Sequence, residues 1–109
     1  MEILAGYNIH CGPRCEGAGL KLQLHGNQPP GIHFKVEPSE DGYRRGIEKG
    51  LHEGLELHPS LKAEAIWVIE IQEHPVDSSE HAFCRAARLA VEQVITMRKL
   101  LRETRLQMG

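Results

Sequence analysis

The chain has 109 residues and 15 acids against 13 lysines and arginines, a formal net charge of −2 with its seven histidines neutral. This excludes a domain that grips nucleic acid through bulk positive charge, so any RNA contact must be local. The length suits one domain, 1–109, burying about two-thirds of its unfolded surface.

Met1-Glu2-Ile3-Leu4-Ala5-Gly6 carries neither a basic leader nor a long apolar segment, and Cys11, Cys15 and Cys84 are an odd number of thiols. A reduced, cytoplasmic chain is expected. The longest uninterrupted apolar run, Ala65-Ile66-Trp67-Val68-Ile69, is far short of the ~20 residues that cross a bilayer. No membrane partner is expected.

An extended segment near Ile3 to Ile9 leads into a glycine-rich loop, Gly12-Pro13-Arg14-Cys15-Glu16-Gly17. Leu20, Leu22 and Leu24 then alternate with Lys21 and Gln23 as a half-buried strand. Asn27-Gln28-Pro29-Pro30-Gly31 reads as a turn, and Ile32, Phe34 and Val36 as the next strand. Two strands and a turn predict a hairpin. Pro38 opens a helix, Arg44 to Leu57, in which Tyr43, Ile47, Leu51 and Leu55 recur every four residues as one buried face.

Gly42, Gly46, Gly50 and Gly54 recur in the same way. Each costs about 1 kcal/mol relative to alanine in a helix interior. Close approach of the helix backbone to a sheet or a second helix is the expected compensation. Arg44, Arg45, Glu48, Lys49 and Glu53 exclude a membrane-type glycine zipper.

From Lys62 to Glu73, Ala63, Ala65, Trp67, Ile69 and Ile71 fall on one face of a strand and Ile66, Val68 and Glu70 on the other. Apolar residues on both faces predict a central strand, or a face covered by a partner molecule. A last helix runs from Ser78 to about Arg105 or Leu106, with Phe83, Ala87, Ala90, Val94, Met97 and Leu101 spaced as a coiled-coil-like seam. At its start Asp77 and Glu80 stand three apart, so Asp77 can cap the Glu80 amide while Glu80 reaches back. Both acids also face the positive end of the helix dipole. At its other end Arg98, Lys99, Arg102 and Arg105 meet one acid, Glu103. They form a solvated basic face or a small footprint for RNA.

Enzyme patterns are missing. Gly12 and Gly17 have the spacing of the outer glycines of a phosphate-binding loop, but Ala18 and Gly19 stand where lysine and serine or threonine are required. His10, Cys11 and Cys15 match no standard zinc spacing. Cys84 beside His81 reads as a small buried residue next to a rim histidine. No catalytic residue, nucleotide, metal or cofactor is expected.

The run Glu73-His74-Pro75-Val76-Asp77-Ser78-Ser79-Glu80-His81-Ala82-Phe83, followed by an alanine-rich helix, resembles domain IV of translation elongation factor G. Pro38-Ser39-Glu40-Asp41-Gly42-Tyr43 with Ile47-Glu48-Lys49-Gly50 resembles that family's proline-led helix, and Gly12 to Gly17 sits where it has a glycine-rich loop. Pro13, Cys15 and Glu16 replace two glycines and a glutamine there.

The resemblance implies an α+β two-layer sandwich of order β-β-β-α-β-α. Its fold would be that of the second domain of small-subunit ribosomal protein five, with a left-handed βαβ crossover. It also implies tip loops, with His74, Arg14, Gly12 and Gly17, that contact the ribosome, ribosomal RNA or transfer RNA. Asp77, Ser78 and Glu80 would hold the loop in shape. These 109 residues carry no GTPase domain, so the expectation is a non-catalytic module or a piece of a split or larger factor. The alternative is a protein-interaction module that kept the fold and forms a homo-oligomer through Val94, Met97 and Leu101.

Overall fold

Among the described residues, four strands and two long helices follow in the order β1 (Glu2–Cys11), β2 (Arg14–His25), β3 (Gly31–Phe34), α1 (Asp41–Leu57), a 3-10 turn (Pro59–Ala63), β4 (Ala65–Glu73) and α2 (Glu80–Met108). The computed structural model describes the backbone of residues 2–11, 14–73 and 78–108, and the side chains of 17–73 and 78–104. The molecule is the expected α+β two-layer sandwich. Leu20, Leu22 and Leu24 of β2 and Ile66 and Val68 of β4 share one core with Ile47 and Leu51 of α1 and Phe83, Ala87, Val91 and Val94 of α2.

The sheet order is β1-β2-β4-β3, with β2 antiparallel to both neighbours and β3 parallel to β4. The hairpin expected between the second and third strands does not form, because β4 lies between them. Pro29 and Pro30 lack the N–H groups that would extend a ladder along β2. Gly31 then turns the chain with φ of 130°, and its N–H donates to the Glu64 carbonyl at 3.3 Å. β3 thus starts beside β4, and β4 is central, as its composition implies.

The apolar residues that simple alternation assigns to both faces of β4 have a local cause. Lys21 lies opposite Glu70 but Leu22 opposite Val68, so Ile69 is an unpaired extra residue, a β-bulge. Simple alternation puts Ile71 with Trp67 and Ile69. The bulge instead rephases Ile71 to lie opposite Leu20 and against the core, in line with Ile66 and Val68. Trp67, Glu70 and Gln72 lie opposite Gln23, Lys21 and Gly19 on the outer face. Lys62 and Ala63, expected in this strand, belong to the 3-10 turn.

The glycine stripe of α1 lies on α2. A Cβ on Gly46 would meet the Glu80 carbonyl oxygen at 2.2 Å, one on Gly50 the Cys84 carbonyl oxygen at 2.3 Å, and one on Gly54 the Val91 side chain at 2.7 Å. The contacts advance together along both helices, which are therefore parallel. Gly42 is outside this contact: a Cβ there would meet the tip of Arg45 at an ordinary 3.6 Å. α1 begins at Asp41, three residues after Pro38, and Arg44 bonds Glu37 and Glu48 while lying 4.2 Å over the Phe34 ring. This ties α1 to the end of β3.

Gly50→Ala is expected to lower stability by about 2 kcal/mol, because overpacking outweighs the gain in helix propensity. Gly42→Ala should raise it by about 0.5–1 kcal/mol. Thermal melting of the two variants checks both signs.

Candidate functional site

The β1–β2 register continues to Asn8↔Gly17, Ile9↔Glu16, His10↔Cys15 and Cys11↔Arg14, whereas β4 stops at Ala18↔Glu73. The last four pairs of the hairpin therefore project past the sheet as a two-stranded ribbon. The loop expected over residues 12–17 is mostly strand. Gly17 is buried in β2 and not in a loop, and its carbonyl accepts a hydrogen bond from Ser78 Oγ at 2.8 Å. Arg14 is the first residue of β2, at the far end of the ribbon.

Ser78 and Glu73 flank the segment that holds His74 and Asp77. Those two residues and Gly12 lie outside the described residues, as do the side chains of Arg14, His10, Cys11 and Cys15. The described residues on either side of 74–77 are bonded to the rest of the fold. Glu73 accepts from the Ser39 N–H at 3.1 Å and from the Ser39 hydroxyl, joining the end of β4 to the segment before α1.

α2 starts at Glu80 and its cap is Ser79, whose Oγ accepts the Ala82 N–H at 3.0 Å. The capping position is thus two residues later than the Asp77 box suggests. Glu80 is exposed, 3.8 Å from Arg45 of α1. The adjacent serines hold different partners: Ser78 secures the ribbon and Ser79 begins the helix. Nearby, Tyr43 packs against Phe83 with ring centroids 5.0 Å apart. A hydrogen bond to Glu40 holds its phenol above the usual tyrosine range.

The seam proposed on α2 divides. Val94 is 1% exposed and belongs to the core, whereas Met97 and Leu101 are 44% and 52% exposed. The helix outruns the sheet: 29 residues of α2 span roughly 43 Å, and the 9 of β4 about 30 Å. Arg98 makes a two-pronged hydrogen bond to Glu64 just ahead of β4, and this spends one of the four cations counted on that end. Beyond it Leu100 joins Leu101 as exposed apolar surface.

A groove of about 470 Å³ runs between the helices, lined by Lys49, Glu53, His81, Cys84, Arg85 and Arg88, among others. Its surroundings disfavour the thiolate of Cys84. Burial pushes the Cys84 thiol up, with the Glu53 carboxylate adding to the effect, and Arg85 Nε donates to His81 Nε2 at 3.1 Å.

On the outer sheet face the structure brings together a pair that sequence reasoning missed. His33 of β3 stacks on Trp67 of β4, centroids 4.7 Å apart and 24° between planes. The pairing depends on β3 lying beside β4, which the assumed hairpin hid.

No protein-family model and no curated protein matches the chain. Among solved structures, the fold is similar to part of a crystal structure of a protein from Thermus thermophilus. The likeness has a TM-score of 0.68, with 26% identity over 84% of this chain. The aligned region is 15% of that longer protein. The architecture thus recurs as one unit within a larger chain.

Ser79→Ala should cost about 1 kcal/mol through loss of the cap, read by chemical denaturation. Alkylation of Cys84, followed on its own peptide by mass spectrometry, should be slower at neutral pH in the native than in the unfolded chain. The ratio of the two rates should narrow as pH rises past the ordinary thiol range, because the raised native pKa keeps the native thiolate scarce until then.

Proposed function

We propose that the chain is a non-catalytic module resembling elongation factor G domain IV, which binds the ribosome or its RNA through one end of the sandwich. The observation that carries this reading is the Ser78–Gly17 hydrogen bond. It joins Gly17, at the base of the projecting β1–β2 ribbon, to Ser78 just ahead of α2, which supports a shared end for the two segments of the family tip. On this reading the cation comes from Arg14, the first residue of β2, and the ring from His74, next in sequence after β4. The similarity to one part of a much longer protein is in keeping with a module that works beside other domains.

With a net charge of −2, binding depends on a few placed groups. Co-sedimentation of the purified chain with ribosomes should fall with salt, with a slope of log affinity against log salt of about −1 to −2. His74→Ala and Arg14→Ala should each weaken it without moving the melting curve. Loss of neither contact changing the association overturns the tip reading.

A second reading rests on the exposed Met97, Leu100 and Leu101 of the overhanging helix: a protein-interaction surface that forms a homo-oligomer. It predicts a melting temperature that rises with protein concentration. It also predicts a monomer in analytical ultracentrifugation for Met97→Glu or Leu101→Glu. Val94 has no part in it, since it fills the core.

A further inference from the structure

Both helices pack on one side of the sheet, which leaves the other side open. On that side the His33–Trp67 pair is held in place from two directions. Trp67 Nε1–H donates to Gln28 Oε1 at 2.9 Å, and His33 Nε2 lies 3.2 Å from the Pro29 carbonyl oxygen. Both rings are only partly buried. Gln23 lies opposite Trp67 on β2 and pairs through Oε1 with His25 Nε2 at 3.0 Å. Lys21, opposite Glu70, lies on the same face. Lys35 continues the ladder from β3 through its N–H to the Val68 carbonyl, and is exposed.

The face thus combines two immobilised aromatic rings with amide and imidazole groups, and carries Lys35 and, opposite Glu70, Lys21. Stacked rings on an open sheet suit an unstacked nucleobase, because every base offers a π-face and rings fixed in advance lose little entropy on binding. Amides and imidazoles can bond base edges, and lysines neutralise phosphate. A paired duplex hides its base faces and fits such a platform poorly.

We infer that this open sheet face binds single-stranded RNA, a base stacking on the Trp67–His33 pair with the backbone near Lys35 and Lys21. The inference rests on the RNA reading above and extends it to a second surface away from the tip.

Trp67 is the chain's single tryptophan, so its own fluorescence reports the contact. Titration of the full chain with octauridylate, whose bases are unstacked, should quench that emission saturably at low salt. A fully paired RNA duplex should not. His33→Ala should weaken binding about ten-fold, and His33→Phe, which keeps a ring on Trp67, should retain it. Lys35→Ala should make the slope of log affinity against log salt shallower by about 0.7.

Unchanged emission up to millimolar octauridylate overturns the inference, as does equal quenching by duplex. So does tight binding by His33→Ala with a native melting curve. Quenching by a chain that does not sediment with ribosomes keeps this surface and rejects the ribosomal reading. Ribosome association without quenching does the reverse.

Discussion

The contact on which the arrangement depends is the bare face that Gly46, Gly50 and Gly54 present to α2. Side chains there would hold the helices apart by the thickness of a methyl group or more. With none, backbone lies on backbone, and the carbonyls of Glu80 and Cys84 sit where Cβ atoms would be. The two helices then act as one layer over a sheet only four strands wide. Ile47 and Leu51 from α1 meet Phe83 and Val91 from α2 in the same core. Unfavourable glycine propensity is offset by packing, not by any local feature of α1.

Because the helices are parallel, the two ends of the molecule differ. Both helix N-termini lie at the end with the ribbon, where positive dipole ends meet the carboxylates of Asp41 and Glu80. Ser39, Ser78 and Ser79 lock the connecting segments to β4, to the ribbon and to α2. At the opposite end His58 pairs with Glu92 at 2.8 Å and Arg98 grips Glu64. Past that grip α2 continues without the sheet beneath it.

Patterns of short range were legible in the sequence. The four-residue period of Ile47, Leu51 and Leu55 correctly marked a buried helix face, and the glycines at the same spacing correctly marked a close contact. Relations between distant segments were not. Alternation in Ile32, Phe34 and Val36 identifies a strand but not its neighbour, so the assumed hairpin displaced β4 and concealed the His33–Trp67 pair. Alternation also fails at Ile69, because a bulge changes the phase without altering composition. In Val94, Met97 and Leu101 one unbroken heptad pattern crosses from core to overhang, since periodicity records the face of a helix and not where its support ends. Of the candidate tip, Ser78 is positioned by a bond to Gly17 that no spacing rule foretells, and Ser79 rather than Asp77 begins the helix.

The placement of β4 between β2 and β3 also constrains how the chain folds. Beyond the β1–β2 hairpin, no pairing in the sheet is local. Leu22 must wait for Val68, and Ile32 for Ile66, partners that lie on the far side of the whole α1 excursion. β3 has no ladder until β4 arrives, so one strand, β4, supplies both the second neighbour of β2 and the neighbour of β3. Every ladder beyond the first hairpin therefore carries the loop-closure cost of the α1 excursion.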